Sequence, residues 1–160
     1  MVKNQVDKKD RRQSSWLDIL ALVLSFFGAI ISVWGALVTY LSQAQIPEAS
    51  LWPLPGLILI NWVMLGLVGF IAAYFCFRQA SAKGLHLAWF ITGTFIPLII
   101  LGAFSIGAGV LIAFLLFVVS TIILTIRQRG RLLASFGLLM LGSVCNLGIL
   151  LILIKLGYQS

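Results

Sequence analysis

The chain has little charge. Four acidic and eleven basic residues make up 9% of its 160 positions, where a soluble domain carries about 25%. A single histidine, His86, excludes any site that needs two. The carboxylates cannot work as a pair: Asp7, Asp10 and Asp18 lie near the start and Glu48 in a later loop. Ser143 follows a glycine but has no G-x-S-x-G turn and no base at its depth. A glycine-rich phosphate loop with its lysine and an H-E-x-x-H pair are both missing. Two cysteines, Cys76 and Cys145, are too few for a disulfide framework or a structural zinc site and read as small packing residues. Cys76, close to a helix end, is also open to reversible acylation. Together these absences argue against an enzyme and against any cofactor or metal.

What is abundant is apolar. Hydrophobic residues are 61% of the chain and the mean hydropathy is +1.12, which describes an all-α, multi-pass integral membrane bundle. Leu87 to Ile126 is forty residues without a charge. As one helix it would be about 60 Å long, twice the roughly 30 Å hydrocarbon core. Gly102, Ser105, Gly107 and Gly109 supply a turn in its middle, so the run reads as two spans.

Five spans follow: about 16–41, 56–77, 87–103, 106–126 and 132–154. A basic tail, 1–15, is expected to be disordered, with Ser15 capping the first span and Asp18 in its first turn. The first apolar run is too long for a signal-peptide core and is expected to stay attached. Residues 42–55 form the longest loop, with Pro47, Pro53 and Pro55 opposing helix, Glu48 as its one charge and Trp52 at the interface.

Charge fixes the expected sidedness. Arg11 and Arg12 in the tail, Arg78 and Lys83 in the second loop, and Arg127, Arg129 and Arg131 before the last span all fall on one side, leaving Lys155 in the short tail 155–160 on the other. By the positive-inside rule the N-terminus is in and the C-terminus out. The net charge of +7 therefore reads as topology and not as nucleic-acid binding.

Small residues recur where helices would meet. Gly28 and Ser32 sit on one face of the first span, with Gly66 and Gly69 in the second. Gly137 and Gly148 share a small-residue face of the fifth with Ala134 and Cys145. Pro97 should kink the third span. Asn61 and Asn146 lie at depths about one turn apart, so a hydrogen bond between spans two and five is within reach, as helix–helix glue or as the lining of a small polar cavity with Ser143. Gly84–Phe90 echoes Gly130–Phe136, and spans two–three and four–five are candidates for parallel repeats.

No ionisable residue falls deep inside a span, so acidic-switch transport lacks its usual group. The favoured reading is a non-enzymatic accessory or assembly subunit, or a homo-oligomeric structural protein, of a cell membrane (plasma or inner if prokaryotic). Its partners are the lipid bilayer and other membrane subunits or itself. The alternative is a small permease or channel component for a neutral or lipid-like solute, using the Pro97 kink. A third reading places lipid-headgroup chemistry on His86, Arg78, Lys83 and the arginine cluster, where cations would hold a phosphate.

Overall fold

A computed structural model of the chain describes residues 2–45, 56–79, 82–102, 107–128 and 132–159. The expectations for Pro47, Glu48, Trp52, Pro53, Pro55, Arg129 and Arg131 lie outside these residues. Five helices follow one another: α1 (Val2–Ala44), α2 (Gly56–Gln79), α3 (Ala82–Gly102), α4 (Gly107–Arg127) and α5 (Leu132–Gln159). Each contains a stretch long and apolar enough to cross a membrane. The forty-residue apolar run is indeed two helices, α3 and α4, divided at residues 103–106.

Two boundaries differ from expectation. α1 begins at Val2, ahead of its apolar stretch, which starts at Trp16 as expected. Residues 2–15 contain no glycine or proline to end the helix, so Ser15 lies in the body of α1 and not at its start. α3 begins at Ala82, which brings Lys83 and His86 onto its exposed first turns.

α1, α2, α3 and α4 form a ring in which each packs against the next and α4 returns to α1. α5 stands outside the ring against α3, barely touching α2. α3 is therefore the most enclosed helix and α5 the least. The two candidate repeat halves pack differently: α2 lies along α3, while α4 and α5 do not lie along each other. The sequence echo thus does not extend to the packing.

Glycines set how closely these helices meet, by two mechanisms. The first admits an aromatic ring. Phe117 of α4 stacks at 5.3 Å on Phe95 of α3, and a Cβ on Gly28 or Gly69 would stand 3.0 or 2.8 Å from its ring. Trp62 of α2, 1% exposed, fills the same kind of dent between Gly35 of α1 and Gly109 of α4. The second mechanism admits another helix. Gly66 lies against Ser32, whose Cβ would be 2.5 Å from a Cβ at that glycine. On α3 and α5 the approach is closest: a Cβ on Gly93 would run into the Leu139 carbonyl, and one on Gly142 into the Phe90 carbonyl. Such reciprocal contacts let Cα–H groups face carbonyl oxygens across the seam.

Gly137 and Gly148 do not join this seam; nothing lies within 4 Å of a Cβ built on either. The contact face of α5 is Ser135, Leu139, Gly142, Asn146 and Leu150, all buried, a spacing of three and four residues. The expected small-residue face of α5 points away from the bundle. Cys145 is on that exposed side too, whereas Cys76 is buried.

Gly142→Leu should force α5 off α3. Overpacking of a close seam costs about 1–3 kcal/mol, read as a lowered melting temperature in detergent. Gly148→Ala, in open space, should not lower the melting temperature, and helix propensity should raise stability by up to about 1 kcal/mol. Equal effects would refute the assigned seam.

Candidate functional site

Hydrocarbon offers no hydrogen bonds, so every polar side chain within it must find a partner in the protein. The partners fall into two groups. The first sits at the end of the bundle where α1's apolar stretch begins and α4 ends. Asp18 is buried there, and its Oδ1 stands 2.7 Å from Nη1 of Arg127. Asp18 is therefore not a first-turn acid of α1: it turns inward because Arg127, the last residue of α4, supplies its counter-charge.

The rest of this group also runs through α4. Gln128 donates from Nε2 to Cys76 Sγ on α2 at 2.9 Å. Trp89 Nε1 on α3 donates to Thr125 Oγ1 at 2.8 Å, and Thr125 passes its own proton to the Thr121 carbonyl. Thr92 and Thr121 hydroxyls stand 3.2 Å apart, each donating to a carbonyl of its own helix. Ser25 and Ser120 hydroxyls lie 2.7 Å apart over the Ala21 carbonyl, so one donates to that carbonyl and the other to its neighbour. Between Ser120 and Gln128, α4 thus binds α1, α2 and α3 in turn.

The second group lies toward the other end. Asn61 Nδ2 donates to Asn146 Oδ1 at 3.1 Å, the span-two to span-five bond that the depths allow. Asn146 Nδ2 donates in turn to the Thr94 carbonyl at 2.6 Å. That carbonyl is on the turn preceding Pro97, which lacks the N–H that would bond to Gly93. Asn146 is fully buried and supplies α3 with a donor where proline weakens its ladder. Ser143 is half-buried, and among the described residues no hydrogen bond joins it to either asparagine. Three polar atoms expected to converge are therefore two plus a backbone carbonyl.

Among the described residues two further buried polar atoms have no hydrogen-bond partner, Gln43 Oε1 and one in the core. The indole N–H of Trp62 is buried and has no hydrogen-bond partner, which costs about 1–3 kcal/mol. Among the described residues no three His, Cys, Asp or Glu side chains gather as metal ligands. Arg78 is exposed and donates to Tyr74 Oη at 3.3 Å. Lys83 and His86 are also exposed. Arg11 and Arg12 lie on the helical extension of α1.

The hydroxyls of α4 were missed in the sequence. Ser120, Thr121 and Thr125 sit within two turns, and that clustering is a visible signal of a polar seam. Their partners, Ser25, Thr92 and Trp89, belong to other helices and carry no mark of the pairing. Asn146 was flagged, but not its reach to the proline turn.

Five apolar helices in a ring-and-buttress arrangement define a multi-pass helical membrane protein. Comparison of the chain with protein-family models, curated proteins and solved structures finds no match.

The two groups should differ in energy. Asn61→Leu with Asn146→Leu in a double-mutant cycle should give a coupling of roughly 0.6 kcal/mol, the usual interhelical hydrogen bond in a membrane. Asp18→Asn alone strands a half-buried guanidinium and should cost more, up to about 3 kcal/mol. Exchanging the pair, Asp18→Arg with Arg127→Asp, should recover part of that loss. Melting temperatures of the variants in one detergent decide it; a larger coupling at the asparagines would reverse the ranking.

Proposed function

We propose that the protein is a non-enzymatic accessory or assembly subunit that works by helix packing, against itself or another membrane protein. The observation that carries this reading is the filling of the interior. Phe95, Phe117 and Trp62 occupy the centre of the ring, and the asparagines and hydroxyls bond mainly to one another and to backbone. Polar groups so engaged favour holding helices over solvating a solute. α5 is the helix offered to a partner: one seam binds it to α3, and most of its remaining surface is exposed.

A second reading, a small permease or channel component for a neutral or lipid-like solute, draws on one atom. The unpartnered Trp62 N–H is a donor that a solute oxygen would satisfy. Flux through liposomes containing the purified protein tests it.

Purification in mild detergent at native expression, followed by mass spectrometry, tests the first reading. It should yield a stoichiometric membrane partner or a defined homo-oligomer. Gly148→Leu, which bulks the free face of α5 without touching the chain's own core, should release that partner. A monomer without partners would sink the subunit reading.

The proposed orientation is N-terminus in and C-terminus out, in a cell membrane, plasma or inner if the source is prokaryotic. Support comes from charge: Arg78, Lys83 and Arg127 lie at the same end of the bundle as the basic start of α1, and Lys155 near the other. A Ser160→Cys variant should react with an impermeant thiol reagent applied outside intact cells. Labelling only after permeabilisation would overturn the orientation.

A further inference from the structure

The lipid-facing flank of the α1–α2 pair carries a furrow. Phe26, Ile30, Val33, Leu37 and Tyr40 recur along α1 at three- and four-residue spacing and share one face. They are large and exposed. Between them and the facing row on α2, Ile60, Met64 and Leu67, the floor is Ala29, Ala36 and Gly56 together with Leu59, all buried. Tall walls over a floor of mostly small residues leave a hollow that two smooth helices would not.

Two hollows meet at Val33. One, of about 350 Å³, lies beside Phe26, Trp34 and Phe70. The other, of about 520 Å³, runs from Val33 to Tyr40 on α1 and from Gly56 to Met64 on α2. From Phe26 to Tyr40 the helix rises about 21 Å at 1.5 Å per residue. One leaflet of hydrocarbon is about half of 30 Å. The apolar stretch of α1 is Trp16–Ala44, centred on Ile30, so the furrow starts about 6 Å beyond the bilayer midplane at 1.5 Å per residue and runs toward the boundary reached by the C-terminal end of α1. Its walls are apolar side chains except for the Trp34 indole N–H and the Tyr40 hydroxyl. Tyrosine at that depth places its ring against chains and its hydroxyl among headgroups.

We propose that this furrow is a binding site for one acyl chain of a membrane lipid, drawn from the leaflet at the Tyr40 end. The choice of occupant follows from continuity: the furrow opens sideways onto the surface through which the spans already meet the bilayer. A chain lying in it touches protein on its floor and both walls, where a chain beside a smooth helix touches one side. Each contact is worth only about 0.1–0.2 kcal/mol, but tens of them accumulate. This site is independent of the subunit reading, since it uses α1 and α2 and not α5.

The test uses the full chain in phosphatidylcholine vesicles containing a small fraction of phosphatidylcholine with a diazirine on one acyl chain. After illumination, labelled peptides are mapped. Label should concentrate several-fold on residues 26–40 and 56–70 over the lipid-facing residues of α4 and α5, such as Leu111, Leu115, Leu151 and Ile152. Val33→Trp, a filling change at the junction of the two hollows, should abolish that excess and leave the α4 and α5 label unchanged. If Val33→Trp does not fold, the wild-type map alone decides. Even labelling of all lipid-facing helices would overturn the proposal, leaving an unspecific lipid shell. Protein–protein cross-links from the furrow in place of lipid label would also overturn it.

Discussion

The absence of hydrogen-bonding solvent in the bilayer core governs this molecule. It forces the backbone into helices, and it forces each polar side chain to find its partner within the protein. The result is a division of labour along the membrane normal. Toward the Asp18–Arg127 end, hydroxyls, an indole N–H, an amide and an ion pair join the ring. Around the midplane, aromatic rings in glycine dents replace them. Farther along, one asparagine pair and a proline turn hold α5 to α3 and α2. Hydrophobic attraction between helices is weak in a medium as apolar as leucine, so shape and these polar contacts do the holding.

α3 is where both kinds of contact concentrate. It touches α2, α4 and α5, and it carries Gly93, Thr92, Thr94 and Pro97, all buried. Proline in a soluble helix interior costs about 3 kcal/mol or more. Asn146 of α5 donates to the neighbouring Thr94 carbonyl, and Gly93 lets the α5 backbone come close enough for it to do so. The close glycine seam and the asparagine are thus one device: a larger residue at position 93 would push Asn146 out of reach of the Thr94 carbonyl.

Much of the fold was legible because its signals are local. Five apolar stretches, the glycine-rich break in the longest of them and the basic flanks are each read from neighbouring residues, and the helices follow them closely. The Asn61–Asn146 bond was within reach because depth alone constrained it. Errors came where two faces of one helix carry the same residue types. Of the α5 glycines 137, 142 and 148, Gly142 meets α3 and a Cβ on either of the other two would meet nothing within 4 Å. Nothing in the composition of α5 ranks one face above the other; the choice depends on the complementary Phe90–Gly93 turn in α3. Asp18 failed for a related reason. An acid near a supposed helix start fits a cap, and its true partner is over a hundred residues away in sequence.

The same argument bears on what the surface is for. Gly28, Gly66 and Gly69 are small because something in this chain fills the space beside them. Gly137 and Gly148 are equally small with nothing beside them, and a glycine in a helix costs about 1 kcal/mol against alanine. Within the isolated chain nothing offsets that cost. A neighbouring helix seated on the free face of α5 would offset it, by the close backbone approach that glycine provides on the seam with α3. The internal seams therefore set the standard by which the outer face is judged, and on the proposed subunit reading the free face of α5 is where a further helix would seat.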